Sequence, residues 1–278
     1  MTPRAASAAP ASTCARRGSM RMGKVYLIGA GPGAADLITV RGARLLEQAD
    51  VVLHDALVEP AMLDYAPRAR RIAVGKRCGQ RSSAQHFINK QLVDAAREHA
   101  VVVRLKGGDP MLFGRADEEM RALEAAGIDY EVVPGITAAL ASAAALKRSL
   151  TLRGVARSVA FATKSRAPGS DEIREQVSAD SLVYYMGRDN APGIARQLID
   201  AGRAGATPVA IVEACSTPRE RMLTLTLADM AAGAAQAWLD PAQPSLLMIG
   251  DAFAERAPRL ADEPPGDAGG KRGMRDAA

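Results

Sequence analysis

Residues 24–33 read KVYLIGAGPG, residues 101–110 read VVVRLKGGDP and residues 130–137 read YEVVPGIT. In each stretch, a short run of mostly apolar and β-branched residues ends in a glycine turn. Such runs are typical of strands that are covered on both faces. Ligands of open α/β sheets bind beyond the carboxyl ends of the strands, where glycine lets the backbone approach them closely. We therefore predict that the three turns meet at one edge of a mostly parallel sheet.

Similar runs alternate with Ala- and Leu-rich segments of helical length, which is the pattern of α/β domains. The predicted strands cover 24–28, 50–54, 71–74, 101–105, 130–133, 157–162, 181–185, 208–213, 220–226 and 245–249. The predicted helices cover 36–48, 84–98, 115–126, 136–146, 190–201 and 227–237. The alternation of polar and apolar residues in RERMLTLTL, residues 219–227, predicts an antiparallel strand with one solvent-exposed face.

The fold class that follows is two α/β domains. We place an N-terminal domain at 23–136, a linker helix and linker at 137–153, and a C-terminal domain at 154–256. Residues 1–22 and 257–278 lack apolar periodicity, so both are predicted to be disordered tails. Whether the chain starts at Met1, Met20 or Met22 stays open.

Composition excludes several classes of protein. Hydrophobic residues make up 48% and charged residues 24% of the 278, which is ordinary globular usage. The net charge is +5, but the first 22 residues carry four Arg and no acid, so the body is almost neutral. With aromatic residues at only 4%, we expect no nucleic-acid partner. The longest apolar run, 136–146, is too short to span a bilayer, and we expect no membrane association.

Cysteine and histidine offer no metal site in the sequence. The three cysteines, Cys14, Cys78 and Cys215, share no zinc-binding spacing and leave one thiol over. This usage is typical of a reducing compartment, so we expect a cytoplasmic protein without disulfides or a bound metal.

The first glycine turn superficially fits the dinucleotide pattern G-x-G-x-x-A through Gly29, Gly31 and Ala34. Pro32, however, removes one backbone N–H that such a loop would direct at a pyrophosphate. A cofactor without phosphate, held by turns and backbone groups, fits the pattern better.

Basic residues gather at predicted element ends and indicate an anionic ligand. Arg115 follows the KGGDP turn at the start of a predicted helix, where a positive charge is unfavourable next to the helix dipole. Arg153 lies where the pattern changes between the predicted domains. Arginine binds carboxylates in bidentate geometry, so we predict a substrate with several carboxylates.

The chain resembles the uroporphyrinogen-III C-methyltransferases of the tetrapyrrole methylase superfamily. The resemblance covers about residues 23–250 and rests on VYLIGAGPG, ADLITVRGARLLEQADVVLHDALV, VGKR, VVRLKGGDPMLFGR, EE, YEVVPGITAA, YYMG and STPRER, in that order. The stretch RLKGGDPMLFGR is the most specific of these. The resemblance implies two methyl transfers from S-adenosylmethionine to uroporphyrinogen III, which give precorrin-2 through precorrin-1. It also implies a homodimer of two-domain subunits with the active site in the cleft between the domains.

The resemblance assigns roles residue by residue. It implies cofactor contacts, with S-adenosylhomocysteine as the product bound there, from Pro32, Gly107, Gly108, Asp109, Leu112, Thr137, Ala138, Met186 and Cys215. It implies a proton acceptor at Asp55 and a proton donor at Lys76, and a competing view makes Arg115 the base. Substrate contacts are implied for Arg115, Glu118, Arg153 and Met186.

Three stretches depart from the family pattern. This chain has His54-Asp55-Ala56-Leu57 where the family often reads YDRL, and Ser149–Arg153 reads SLTLR where the family often reads PLTHR. It has Thr163-Lys164-Ser165 where TGH is usual. These departures affect the expected fit of the substrate more than that of the cofactor. Another precorrin methylase, an NAD-dependent oxidoreductase and a non-catalytic tetrapyrrole carrier remain alternatives.

Overall fold

The computed structural model describes residues 22–74, 83–164 and 177–255. These residues form two compact units. The first comprises the described residues up to Ala141 together with Cys215–Pro218, and the second comprises Ser142–Ala214 and the residues from Arg219 onward. The two predicted tails lie outside the described residues, apart from Met22.

The first unit is built on a parallel sheet of five strands. They are β1 (Lys24–Gly29), β2 (Val51–His54), β3 (Arg70–Ala73), β4 (Val101–Lys106) and β5 (Tyr130–Val133), in the order β3-β2-β4-β1-β5. β1 pairs with β4 from Lys24 opposite Val101 to Gly29 opposite Lys106, so the two strands end at the same level. This register brings the glycine turns that follow them side by side.

Both faces of this sheet are covered, as the continuous apolar runs predict. The helices are α1 (Val40–Glu47), α2 (Ser83–Glu98) and α3 (Ala116–Ala125). Ile28 and Val103 belong to one buried cluster, which includes Leu46 of α1. Leu27 and Val102 belong to the other, which includes side chains of α2 and α3. Successive residues of one strand therefore enter opposite halves of the core.

Two predicted helices are shorter than the sequence pattern indicated. The segment predicted as one helix over 36–48 is a 3-10 turn, Ala35–Leu37, followed by α1. Thr39 between them is extended, and its hydroxyl accepts from the backbone N–H of Gly42 as an N-cap. The helix predicted over 227–237 ends at Ala231, shortly before Gly233 takes up φ +90°. A 3-10 helix at Pro60–Tyr65 was not predicted.

The second unit contains a mixed sheet, so the expectation of mostly parallel pairing holds only for the first. Its strands are β6 (Val159–Thr163), β7 (Ser181–Tyr185), β8 (Pro208–Glu213), β9 (Arg221–Thr226) and β10 (Ser245–Ile249), in the order β6-β7-β10-β8-β9. Only β6 and β7 pair in parallel. The short connection between β8 and β9 allows direct antiparallel pairing, and β9 is the predicted half-exposed antiparallel strand.

The remaining helices are α4 (Ala138–Ala145), α5 (Ala191–Asp200) and α6 (Leu227–Ala231). The division between the two units falls inside α4. α5 and α6 pack on the second sheet around Ile194, Leu198 and Met230. Within the described ranges, none of the helices has the length and apolar character that a membrane crossing requires.

Replacement of Gly135 by alanine should destabilise the first unit. A Cβ at Gly135 would overlap the carbonyl oxygen of Gly108 and lie 2.8 Å from Cα of Gly29. Such overpacking against backbone costs about 1–3 kcal/mol. At Gly107 the added Cβ would lie 3.4 Å from Cβ of Leu57, an ordinary contact, so Gly107→Ala is the matched control. Urea unfolding of both variants measures the difference, and equal free energies of unfolding would contradict the close packing of the turns.

Acid should weaken the start of the second sheet through Asp180. The pKa of its carboxyl is lowered by the backbone N–H of Arg157, then by the hydroxyl and the N–H of Ser158. Its stabilising contribution is therefore complete above the ordinary pKa of about 3.9 and is lost as the pH falls through the lower folded value. The stability gap between wild type and Asp180→Asn should narrow as the pH falls from about 5 to about 2. Asp64→Asn, on an exposed side chain, is the control, and a gap independent of pH would refute this role.

Candidate functional site

The three glycine turns of the first unit meet, as the sequence predicted. Gly31 N–H donates to the carbonyl oxygen of Gly108 at 3.2 Å, and Gly108 N–H donates to that of Gly31 at 2.7 Å. The third turn is equally close, because a Cβ on Gly29 would lie 2.6 Å from Cα of Gly135. We call this set of turns, residues 29–33, 107–110 and 134–137, the glycine rim. Only residues without side chains allow three backbones to approach so closely.

Asp109 ties two parts of the glycine rim together. Its Oδ1 accepts from the backbone N–H of Met111 at 2.8 Å, and its Oδ2 accepts from the N–H of Gly135 at 2.8 Å. Both carboxylate oxygens thus hold backbone in place. Asp109, which the resemblance assigns to the cofactor, therefore also braces the fold.

A turn from a distant part of the sequence completes the rim. Ala34 N–H donates to Oγ of Ser216 at 3.0 Å, and a Cβ on Gly33 would lie 2.8 Å from the carbonyl oxygen of Cys215. The structure therefore brings the predicted cofactor residues Pro32 and Cys215 into one region. The buried side chain of Cys215 belongs to this turn, whose backbone is fixed by left-handed Ala214 and Ser216.

The other predicted cofactor residues divide between the two units. Leu112 follows the rim directly, its N–H donating to the carbonyl oxygen of Asp109, and Thr137 and Ala138 join the rim to α4. Met186 lies in the second unit, at the end of β7, and is 54% exposed. Arg153, predicted to bind substrate, is an exposed residue of the second unit. Lys76, the predicted proton donor, lies outside the described residues.

Residues with a strained backbone conformation are concentrated in and next to the motifs singled out by sequence. Six described residues other than glycine have positive φ, and four of them lie in the motifs that carry the resemblance: Phe113, Arg115, Met186 and Ser216. A fifth, Ala214, directly precedes Cys215. Left-handed conformations cost free energy in residues with a side chain, and they cluster at functional sites. Their positions match the loops that the resemblance assigns to ligands.

A row of buried charges lies beside the rim, on the carboxyl end of β4. Arg104 Nη2 donates to Oδ1 of Asp55 at 2.5 Å, and its Nε donates to Oε1 of Glu119 at 2.9 Å. Lys106 Nζ donates to Oε2 of the same Glu119 at 2.9 Å. Asp55, the predicted proton acceptor, follows β2 and is 28% exposed, so it is the end of the row that reaches solvent. We call Asp55, Arg104, Glu119 and Lys106 the buried charge row.

Burial and pairing act against each other on the two cations. Burial would lower the pKa of Arg104, but the carboxylates of Asp55 and Glu119 raise it overall, so the guanidinium stays charged. For Lys106, burial and the neighbouring charge of Arg104 lower the pKa, and the pairing with Glu119 only partly compensates. The row has equal numbers of positive and negative groups, which is what lets charges persist at this depth.

Arg115 has a local partner that the sequence argument did not foresee. It is the N-cap of α3 with φ 55°, and its guanidinium donates through Nε and Nη2 to both oxygens of Glu118, each at 2.7 Å. This bond is the largest cause of the lowered pKa of Glu118. The charge of Arg115 at the helix start is thus offset by Glu118, so its position next to the helix dipole needs no ligand to explain it. The implied substrate role of the pair remains a prediction.

Sequence reasoning missed the role of Glu119. The sequence analysis placed basic residues at element ends but named no carboxylate partner for Arg104 or Lys106. The available signal was their position two residues apart in a strand buried on both faces, because buried cations need a carboxylate partner. Nothing in the sequence pattern distinguishes which of several acids supplies it.

Comparison with known proteins shows which family this chain resembles. Residues 24–231 match the family of Tetrapyrrole (Corrin/Porphyrin) Methylases. A siroheme synthase of Azotobacter vinelandii is 46% identical over 234 residues, which cover 83% of this chain and 50% of the relative. The chain thus spans about half the length of the curated relatives it matches.

Solved structures agree in fold. A uroporphyrin-III C-methyl transferase from Thermus thermophilus, complexed with S-adenyl homocysteine, is 39% identical with a TM-score of 0.73, and the match covers 84% of this chain and 96% of that one. A cobalt precorrin-4 methyltransferase is 28% identical with a TM-score of 0.72, and the match covers 84% of this chain and 96% of that one. The extent of the family match and the coverage of the Thermus enzyme establish that the chain belongs to the tetrapyrrole methylases.

Proposed function

We propose that the protein transfers methyl groups from S-adenosylmethionine to two pyrrole carbons of uroporphyrinogen III, giving precorrin-2 through precorrin-1. The observation that carries the proposal is the glycine rim, built from the motifs shared with the family. The Thermus relative, at 39% identity, is named for this chemistry and binds S-adenyl homocysteine. The cobalt precorrin-4 methyltransferase is less similar, at 28%. Methylation of another precorrin is the alternative.

The glycine rim suits the proposed cofactor. A ligand held there would contact the backbone of Pro32, Gly107 and Gly108, with Leu112, Thr137, Ala138 and Cys215 in or next to the rim. Asp109 would act chiefly by holding the rim in shape, as its two backbone contacts at 2.8 Å indicate. The bound sulfonium would supply an activated methyl group. Met186, in the second unit, is assigned to the cofactor and substrate on its motif alone.

The proposed substrate carries eight carboxylates. Arg115 is assigned to them together with Glu118, which orients the guanidinium through two hydrogen bonds. Arg153, an exposed residue of the second unit, is a further candidate for a carboxylate. Local arginines in a nearly neutral body fit a polyanionic ligand better than bulk positive charge does.

Asp55 is proposed to accept the proton that the macrocycle must lose after methylation. Its carboxylate follows β2, pairs with Arg104 through Oδ1 and reaches solvent. Arg115 is ranked below it as a base, because a guanidinium with a pKa above about 12 rarely loses its proton. Lys76 is the proposed proton donor on its motif alone.

The product is proposed to enter siroheme or cobalamin formation. The curated relatives are siroheme synthases roughly twice as long as the match, so only the methylation step is proposed here. We also propose that the protein is cytoplasmic and forms a homodimer. Sedimentation of the full chain would test whether it is a dimer.

The decisive assay mixes the full-length protein with uroporphyrinogen III and S-adenosylmethionine under anaerobic conditions. Mass spectrometry should detect the singly and then the doubly methylated product, with two equivalents of S-adenosylhomocysteine formed. Turnover of a different precorrin without turnover of uroporphyrinogen III would select the alternative substrate. Porphyrinogen binding without methylation would reject an enzyme altogether.

Asp55→Asn should slow product formation by a factor of about 10² to 10⁴, because a positioned base contributes that much. The Kd for S-adenosylhomocysteine should stay within about twofold, since Asp55 is not assigned to the cofactor. Steady-state rates and calorimetry measure the two effects. Asp64→Asn, an exposed carboxylate, is the control, and a wild-type rate in Asp55→Asn would remove this residue from the chemistry.

Asp109→Asn should weaken binding of S-adenosylhomocysteine by about tenfold or more. An asparagine keeps one acceptor oxygen and turns an NH₂ group toward one of two backbone N–H donors, and charge-assisted bonds are worth about 1.5–3 kcal/mol. Calorimetry measures the change in Kd. Asp117→Asn, which breaks only an exposed pair with Arg121, should leave Kd unchanged. Unchanged binding in Asp109→Asn would show that the brace does not shape the pocket.

A further inference from the structure

Glu119 accepts hydrogen bonds from both cations of the buried charge row. Its side chain is 0% exposed, and it lies in α3. Oε1 accepts from Arg104 Nε at 2.9 Å and from Gln85 Nε2 at 3.3 Å, while Oε2 accepts from Lys106 Nζ at 2.9 Å. Donors on both oxygens fix the plane of the carboxylate.

Stability alone is a weak reason for such a row. Removing ions from water costs several kcal/mol each, and well-packed apolar side chains of similar volume are often as stable or more stable. A row of four charges next to the glycine rim therefore calls for a role beyond folding. Its one solvent-exposed end is Asp55, the residue proposed to accept the proton.

The geometry of arginine links Glu119 to Asp55. A guanidinium is a rigid planar fork, so a bond that fixes Nε also fixes the directions of both Nη groups. Glu119 holds Nε, Nη1 donates to the carbonyl oxygen of Leu105 at 3.2 Å, and Nη2 donates to Asp55. By holding Nε, Glu119 thus sets the direction in which Nη2 of Arg104 donates to Asp55.

Lys106 keeps Glu119 from turning, and the following loop encloses Lys106. A Cβ on Gly114 would lie 3.2 Å from Cε of Lys106 and 2.7 Å from the carbonyl oxygen of Pro110. The glycine of the MLFGR stretch therefore lets this loop pack over the lysine stem. The same β4 end that carries Lys106 continues into Gly107 of the rim.

We propose that Glu119 is a positioning residue for proton transfer: through Arg104 it fixes the carboxylate of Asp55 in the orientation that accepts the proton. This inference rests on the proposed function. It assigns Glu119 no contact with substrate or cofactor.

A double-mutant cycle between Glu119→Gln and Asp55→Asn tests the link. Glu119→Gln should lower kcat by about 10²-fold, since small misplacements of a catalytic group cost that much. The KM values and the Kd for S-adenosylhomocysteine should stay within about twofold. In the Asp55→Asn background, Glu119→Gln should have less than about a twofold further effect on kcat, because the carboxylate through which Glu119 is proposed to act is already absent. If the two effects on kcat multiply instead, Glu119 does not act through Asp55.

Glu213→Gln is the matched control for loss of a buried ionised glutamate. Glu213, at the end of β8, is also 0% exposed, and it pairs with Arg221 and accepts from the N–H of Asp240 at 2.8 Å. Whatever this substitution does to kcat should multiply with the effect of Asp55→Asn. A general loss of rigidity would make both glutamates behave alike in the cycle, and that result would overturn the proposal.

A second variant and an NMR readout complete the test. Arg104→Lys keeps the positive charge but removes the planar guanidinium, so it should lower kcat to a similar extent, and its effect should not multiply with that of Asp55→Asn. If Glu119→Gln does not fold, the double-mutant cycle is measured with Arg104→Lys instead. The Arg104 Nε–H resonance is identified by its loss in Arg104→Lys. It should exchange slowly in the wild type and fast in Glu119→Gln, or in Glu119→Met if Glu119→Gln is insoluble.

The NMR readout separates the two hypotheses. If the wild type fails to methylate uroporphyrinogen III, the proposed function falls, and the resonance still reports whether Glu119 holds Arg104. If methylation occurs but the Arg104 Nε–H stays protected without Glu119, the proposed function stands and the positioning role is refuted.

Discussion

The absence of side chains at three points of backbone contact is the constraint on which the first unit depends. Gly29 ends β1, and Gly108 and Gly135 follow β4 and β5. A Cβ at Gly29 or Gly135 would overlap backbone atoms, and Gly108 takes up φ +67°. Because β1 and β4 pair in exact register up to Gly29 and Lys106, the turns emerge at one level and can join through main-chain hydrogen bonds. The result is a set of turns in which backbone groups from three neighbouring strands lie side by side.

Charge is organised around this surface in two different ways. Arg115 and Glu118 form an exposed bidentate pair at the start of α3, where solvent screens the charges. The buried charge row is the opposite case, since its inner members are almost fully enclosed. An exposed pair is adaptable, whereas an enclosed row holds its members in one arrangement. The proposed substrate contact would use the first property and the proposed proton transfer the second.

The second unit follows a different plan. Its sheet is largely antiparallel, and the turn after β8, Cys215–Pro218, belongs by its contacts to the first unit. Ala214 and Ser216 take left-handed conformations on either side of Cys215, so two residues with strained backbone define the shape of this turn. The turn accommodates the small buried side chain of Cys215.

The strands, their glycine turns and the meeting of those turns could be predicted from the sequence, because apolar runs and glycine turns act locally and parallel strands end at one edge of the sheet. The sequence also carried the family motifs. It did not determine where helix α1 begins, since Thr39 caps it against the helical pattern, nor the mixed pairing of the second sheet, which depends on strands far apart in the chain. That Glu119 pairs with both Arg104 and Lys106 is visible only in the folded chain, because ion pairing at depth is set by distance in space and no spacing along the chain encodes it.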